Sequence, residues 1–287
     1  MQRTAIALAT LALALAGCAS APDGTNQASA PMVSNAMGAA LDEVLANPAR
    51  SPENVARDAW RHPKQTLTFF GVRPDQAVIE ITPGGGWYAE ILAPYLREQG
   101  RYIAAIPDPA AFEAGRQRDY YAKGKAGLEA KFAAAPAQFG GASVVAYDPK
   151  APRFGAPASV DAVLTFRNVH NWRSAGQAEG MFRGFFDVLK PGGVLGVVEH
   201  RAASDVPADD KSGYVGEAQV IALAEAAGFR LDGKSEVNAN PRDTKDHPNG
   251  VWTLPPVKRH DAEDAQKYLA IGESDRMTLR FVKPAQE

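Results

Sequence analysis

The chain has 287 residues, 45% of them hydrophobic and 22% charged, proportions that exclude wholesale disorder, a collagen-like repeat and a polytopic membrane protein. Lys and Arg number 31 against 33 Asp and Glu, so no basic excess exists to neutralise a phosphate backbone and nucleic acid is not expected as a partner. The length suits one large α/β domain or two small ones.

Residues 1–17 read as a signal peptide. Arg3 supplies a positive start, and Thr4 to Ala16 form 13 uncharged residues, short of the ~20 that a hydrocarbon core needs. The stretch ends in Leu15-Ala16-Gly17-Cys18, which resembles the lipobox of bacterial lipoproteins and implies that Cys18 becomes the acylated first residue. An ordinary secretory leader with an incidental cysteine is the alternative. Cys18 is the only cysteine, which leaves the domain without a catalytic thiol, a disulfide framework or a cysteine zinc site. Residues 18–36 are small and polar and read as a lipidated flexible tether, leaving 37–287 as the domain. Ala19 after the cysteine resembles the outer-membrane-sorted class. The expected address is therefore periplasmic, with a lipid anchor as the only contact with a membrane.

Within the domain, Ser51-Pro52-Glu53 supplies an N-cap and a proline at the first helical position, opening a helix that His62-Pro63 interrupts. A second short helix ends near Gly71. Ala77 to Ile81 is a buried-strand run, followed by a glycine loop and a helix from Tyr88 to Arg97. The alternation continues with a strand over Tyr102 to Ile106, a helix over Ala111 to Tyr121, and strands over Ser143 to Tyr147 and Ala162 to Phe166. A helix over Met181 to Leu189 stops at Lys190-Pro191-Gly192-Gly193, and Val194 to Glu199 is a strand with a nearly uninterrupted apolar run. Such runs mean burial on both faces, as in a parallel sheet. A helix over Glu217 to Ala227, closed by Gly228, precedes strands starting at Phe229 and spanning Thr278 to Val282. About 45 residues rich in Asn, Asp and Pro separate these last two strands and read as a long loop or lid.

Glu80 closes the first strand, and Thr82-Pro83-Gly84-Gly85-Gly86 turns the chain into the next helix. Backbone N–H groups at a helix N-terminus then face a crevice above the sheet, where an anionic or polar group can bind. Gly84, Gly86 and Ala89 fit the loose G-x-G-x-x-A pattern of dinucleotide folds, a weak signal alone.

From Arg57 to Pro284 the sequence resembles the class I S-adenosylmethionine-dependent methyltransferases, most closely exported bacterial predicted methyltransferases. Val78-Ile79-Glu80-Ile81-Thr82-Pro83-Gly84-Gly85-Gly86 is similar to the family's first motif, with Thr82 where the first glycine usually stands. The resemblance implies a Rossmann-like, doubly wound α/β fold with a seven-stranded, mostly parallel sheet and helices on both faces, and S-adenosylmethionine as cofactor. It places Gly84, Gly85 and Gly86 against the methionine part of that cofactor, with Glu80 near its polar end. Tyr147-Asp148 matches the position where an acid meets the adenine, Asp161 to Trp172 the fourth-strand motif, and Leu189 to Gly193 a turn common in the family. The ribose-binding carboxylate is expected at the end of the second strand. There the register gives Ala105, Ile106 and Pro107, and Asp108 arrives about two residues late.

Ligands of doubly wound sheets lie outside the carboxyl ends of the strands. Arg167 to Trp172 leaves one such end and Glu199-His200-Arg201 another, so His170 and His200 are the candidate general bases, His170 first. Asn168 is a candidate cofactor or substrate contact. Trp172 and Trp87-Tyr88 serve equally as packing or pocket walls, and Arg57, Asp58 and Arg61 read as a solvated helix face. The five histidines show no i, i+4 pair with a carboxylate partner, so no metal site is expected. The sequence thus points to a methyltransferase for a small molecule. The rival is a non-catalytic ligand-binding lipoprotein that retains the fold, and export favours it because S-adenosylmethionine is made in the cytosol. A nicotinamide-dependent dehydrogenase ranks third.

Overall fold

The computed structural model describes residues 38–285, so the expected leader, the tether and Cys18 lie outside the described residues. Among the described residues no helix is long and apolar enough to cross a membrane. The chain opens with four short helices: α1 (residues 38–45), α2 (Pro52–Val55), α3 (Asp58–Arg61) and α4 (Pro63–Phe70). Pro63 opens α4, and Gly71 ends it at φ 71°, the left-handed conformation that glycine adopts without a Cβ clash. Ser51 holds the N-cap position of α2 but its side chain does not cap. Its hydroxyl instead donates to Glu90 at 2.6 Å, tying this segment to the helix after the glycine loop.

Seven strands follow: β1 (Ala77–Ile81), β2 (Arg101–Pro107), β3 (Ser143–Tyr147), β4 (Val160–Phe166), β5 (Leu189–His200), β6 (Arg230–Ser235) and β7 (Arg276–Val282). They form one sheet in the order β3-β2-β1-β4-β5-β7-β6. Every pairing from β3 to β5 is parallel, and β7 runs antiparallel to both β5 and β6. The expected Rossmann-like sheet is thus present, with its single reversed strand near one edge. β5 takes in the Lys190 to Gly193 turn, but its pairing with β4 jumps from Leu189 to Val194, so the turn is an irregularity in the ladder.

Alternation along β1 explains the two cores. Ile79 and Ile81 point to one face and Val78 with Glu80 to the other. The first face packs against α8 (Val169–Ser174), α9 (Ala178–Val188) and α10 (Glu217–Ala226) through Trp172, Phe182, Phe185 and Val220. The second packs against α1, α4, α5 (Ala89–Leu96), α6 (Arg116–Ala134) and α7 (Pro136–Phe139) through Leu41, Leu67, Phe70, Leu92, Leu128 and Phe139. Truncating a fully buried residue such as Phe182 to Ala should cost about 3–5 kcal/mol.

Two expectations about elements change. The helix expected over Ala111 to Tyr121 is a 3₁₀ turn at Pro109–Ala111 and then the longer α6, which buries only Leu128 and Phe132 and so lacks an apolar stripe. The expected long loop contains a helix, α11 (Ala265–Ile271), and two 3₁₀ turns. Buried carboxylates anchor this segment. Asp243 accepts from the Tyr214 hydroxyl at 2.9 Å, the Asp275 amide at 2.7 Å and His247 Nε2 at 2.9 Å. Asp275 in turn pairs with Arg201 at 3.0 Å and Lys245 at 2.9 Å.

Candidate active site

A cavity of about 640 Å³ opens over the carboxyl ends of β1, β2, β4 and β5. One end is the glycine loop. Thr82, Gly84 and Gly86 have φ of 51°, 59° and 79°; for a β-branched residue such as Thr82 this is a strained conformation that glycine would adopt freely. Thr82 is held by its amide on Ala105 O at 2.7 Å and its hydroxyl against Tyr147 Oη at 2.9 Å. A Cβ built on Gly84 or Gly85 meets nothing within 4 Å, and both line the cavity. Gly86 does not: its missing Cβ faces Leu128 at 3.1 Å and Ala89 at 3.3 Å, so this glycine serves the approach of α6 and α5 rather than a ligand.

Glu80 lies on the cavity floor, 3% exposed, and accepts from Tyr102 Oη at 2.6 Å. Burial pushes its carboxyl up to about 7, against the opposing pull of Tyr102, Arg61 and Arg167. Pro107, Phe112, Tyr147 and Pro149 form a largely apolar wall at the ends of β2 and β3. The two acids expected at those ends are not among the cavity's lining residues. Asp108 Oδ1 accepts the Ala110 amide and Asp148 Oδ1 the Lys150 amide, both at 2.9 Å, so each carboxylate caps a turn. Asn168 does line the cavity, and its amide donates to Ile81 O at 2.9 Å and Thr165 Oγ1 at 3.2 Å, bridging β1 and β4.

His170 and His200 meet as the strand ends require, with ring centroids 5.5 Å apart. Glu199, fully buried, joins them. Its Oε1 takes His170 Nδ1 at 3.1 Å and the His200 amide at 2.7 Å, and its Oε2 takes the amides of Val169 at 2.6 Å and His170 at 3.3 Å. With Nδ1 donating to a carboxylate, Nε2 of His170 is the proton acceptor. His200 Nδ1 contacts Ser274 Oγ at 2.5 Å. Burial, His170 and the nearby arginines hold His200 well below the usual imidazole range, so it stays neutral. Trp252 covers the pair, 5.4 Å from His170 and 6.5 Å from His200 between centroids.

The ligand atoms of His170, Glu199 and His200 lie within 4.8 Å of one another. Sequence spacing could not reveal this group because its members come from two strand ends. Both oxygens of Glu199 are already occupied by N–H donors, and three arginines act on His200, an environment that opposes a cation.

The expected solvated face of the N-terminal helices instead packs against neighbouring residues, with Arg61 buried and Arg57 and Asp58 half-buried. Arg61 is 3% exposed, Arg50 pairs with Asp58 at 2.6 Å, and Arg57 donates to Glu273 at 2.7 Å. Trp87 ties α2 to the glycine loop through Nε1 to Asn54 O at 2.9 Å, and Arg61 stacks 4.6 Å over its ring. Arg167, Glu273 and Ser274 also line the cavity. No local pattern marks them: Arg167 is an unusual non-glycine residue at φ 63°, and the other two close the long segment before β7.

No family profile matches the chain, and no curated protein matches it in sequence. Solved structures do match in fold. A SAM-dependent methyltransferase from Aquifex aeolicus superimposes with a TM-score of 0.52 at 14% identity, covering 86% of this chain and 98% of that one. A SAM-dependent methyltransferase from Methanosarcina mazei gives 0.51 at 12% identity, covering 77% and 97%. The [4+2]-cyclase SpnF gives 0.54 at 16% identity, covering 90% and 96%. The fold is that of the class I SAM-dependent methyltransferases. A cyclase among these structures shows that the fold alone does not dictate the reaction.

Proposed function

We propose that the protein is a S-adenosylmethionine-dependent methyltransferase acting on a small molecule, exported and anchored by a lipid on Cys18. The observation that carries this reading is a single cavity joining a glycine floor to an oriented histidine. Gly84 and Gly85 leave open the space a side chain would fill, which fits the close approach of a cofactor's amino-acid portion. Glu80 lies at that end for an amino group, and the wall of Pro107, Tyr147 and Pro149 suits a flat base. The resemblance gives Asp108 and Asp148 the ribose and the adenine amine, roles that would require both carboxylates to leave the turns they cap. When bound, the cofactor supplies an electrophilic methyl group.

The remaining work falls to the β4 and β5 ends. His170 takes a proton from the acceptor at Nε2, and Glu199 fixes its tautomer and orientation. Neutral His200 offers a second polar contact, and the Trp252 ring packs edge-on against His170. Titration calorimetry with S-adenosylmethionine and S-adenosylhomocysteine tests the reading: one-site binding is expected, and absence of binding up to millimolar concentration would defeat it. Once an acceptor is found, His170→Ala should lower kcat by about 10² to 10⁴ with cofactor affinity unchanged. An unchanged kcat would remove His170 as the base.

A further inference from the structure

Arg57, Arg61 and Arg167 line one side of the cavity, and a single carboxylate, Glu273, serves Arg57, Arg61 and Arg276. Arg57 Nε reaches Glu273 Oε1 at 2.7 Å, Arg276 Nη1 reaches Oε2 at 3.3 Å, and Arg61 Nε stands 3.6 Å from Oε2, beyond a hydrogen bond. Arg276 spends its other donors on Ser274 O and Trp60 O. The rest of the cluster is not satisfied. Arg57 Nη2 and Arg61 Nε are buried without an acceptor, and the Arg167 guanidinium, facing the cavity, has neither a hydrogen bond nor an ion pair among the described residues. Glu273 and Glu199 offset the Arg167 charge only in part, and both are committed to other donors.

Holding guanidiniums with unsatisfied N–H groups in a site partly withdrawn from water is costly. The strain shows in Arg61, which burial and Arg167 push down to about 8, and in Arg167, which burial pushes down to about 10. Arg167 is also placed by a left-handed backbone at φ 63°, a conformation disfavoured in a residue with a Cβ. A structural ion pair needs none of this. A bound anion would supply the missing acceptors, and a planar guanidinium fork matches a carboxylate or phosphoryl group bidentately.

Arg167 lies three residues before His170 at the end of β4, with His200 and Ser274 on the neighbouring β5 and β7 side. The glycine loop and the apolar wall belong to the β1, β2 and β3 ends. We propose that Arg167, supported by Arg57 and Arg61, is an oxyanion subsite for the methyl acceptor, which therefore carries a carboxylate or phosphoryl group close to the atom that His170 deprotonates. The assignment to the acceptor rests on the methyltransferase reading, whereas the anion site itself does not.

The test is calorimetry on the purified protein with inorganic phosphate and, separately, acetate, each with and without saturating S-adenosylhomocysteine. At least one anion should bind with one-site stoichiometry in the presence of S-adenosylhomocysteine. Arg167→Gln should weaken that anion by about 10- to 100-fold while changing S-adenosylhomocysteine affinity less than about twofold, and Arg167→Lys should fall between. The stronger of the two anions names the acceptor's acidic group. Failure of both anions to bind the parent protein overturns the proposal whether or not the variants fold. Competition between anion and S-adenosylhomocysteine, with both weakened together by Arg167→Gln, also overturns it, because the guanidinium would then serve the cofactor. Anion binding through Arg167 without S-adenosylhomocysteine binding sinks the methyltransferase reading and upholds the anion site.

Discussion

Replacing Glu80 by Gln removes a charge from the cavity floor with little change of shape, and the protein should become more stable at neutral and alkaline pH. The Glu80 carboxyl is raised from 4.5 to about 7 by burial. Between these values the folded chain holds a proton that the unfolded chain has released, so stability falls as pH rises through this window and is level above it. At ~1.4 kcal/mol per unit, the ionised carboxylate costs the fold about 3 kcal/mol. Gln keeps an oxygen for the Tyr102 hydroxyl, which donates at 2.6 Å, and carries no charge to desolvate. In a domain of this size the gain corresponds to about 6 to 12 °C in Tm. Paired thermal melts of parent and Glu80→Gln from pH 4 to pH 8 provide the assay. The difference should vanish near pH 4, where Glu80 is protonated in both states, and reach its plateau above about pH 7. Acid losses from other carboxylates are common to both proteins and cancel. A difference independent of pH, or a variant less stable at pH 8, would show that ionised Glu80 does not burden the fold. S-adenosylhomocysteine affinity should fall in the same variant, since a charge kept at a cost to stability is kept for a ligand.

Glu199→Gln should destabilise by about 1–3 kcal/mol, because either orientation of the amide sets its NH₂ against two N–H donors; an unchanged Tm would show that Glu199 is not the hub described. The two glycines should part company. Gly84→Ala strains φ 59° but points into open space, so it should lose ligand affinity with a Tm drop of about 1 kcal/mol equivalent. Gly86→Val, at φ 79° and against Leu128, should cost about 2–4 kcal/mol of stability, and a well-folded Gly86→Val that loses only ligand would contradict its packing role. Cys18→Ser should abolish fatty-acid labelling and membrane retention while leaving the thermal transition of the domain unmoved; equal labelling of both proteins ends the lipoprotein reading.

The centre of the parallel half of the sheet is legible because β1 and β4 are buried on both faces. Ala77–Ile81 is buried throughout, whereas Ser143–Tyr147, at the sheet edge, exposes Ser143 and Ala146 and is legible only from its β-branched Val144 and Val145. The meeting of His170 and His200 is legible for a related reason, since adjacent parallel strands deliver their carboxyl ends to one crevice. Helix α6 hides its length because only Leu128 and Phe132 are buried in it, so no stripe marks where it stops. Gly86 shares a motif with Gly84, and only the proximity of Leu128, more than forty residues away, separates their roles. Arg57 and Arg61 look like a charged helix face until Glu273, over two hundred residues later, folds beneath them. A charge pattern reports the residue type and is silent about the partner.

Strand β7 lies between β5 and β6 although it follows both in the chain. Until residues 276–282 dock, β5 and β6 each keep an unpaired edge, and the contacts that close the sheet span long stretches of sequence, which makes them late in folding. Glu273 and Ser274 precede that strand directly and line the cavity. A chain that has not yet inserted β7 thus has a glycine loop but lacks the part of the cavity lining that Glu273 and Ser274 supply. Ligand occupancy is in this way tied to completion of the whole sheet. A ligand at a hundred times its Kd should add about 2.7 kcal/mol to the global transition, and the amides of β5 and β6 should slow their hydrogen exchange together with those of the glycine loop.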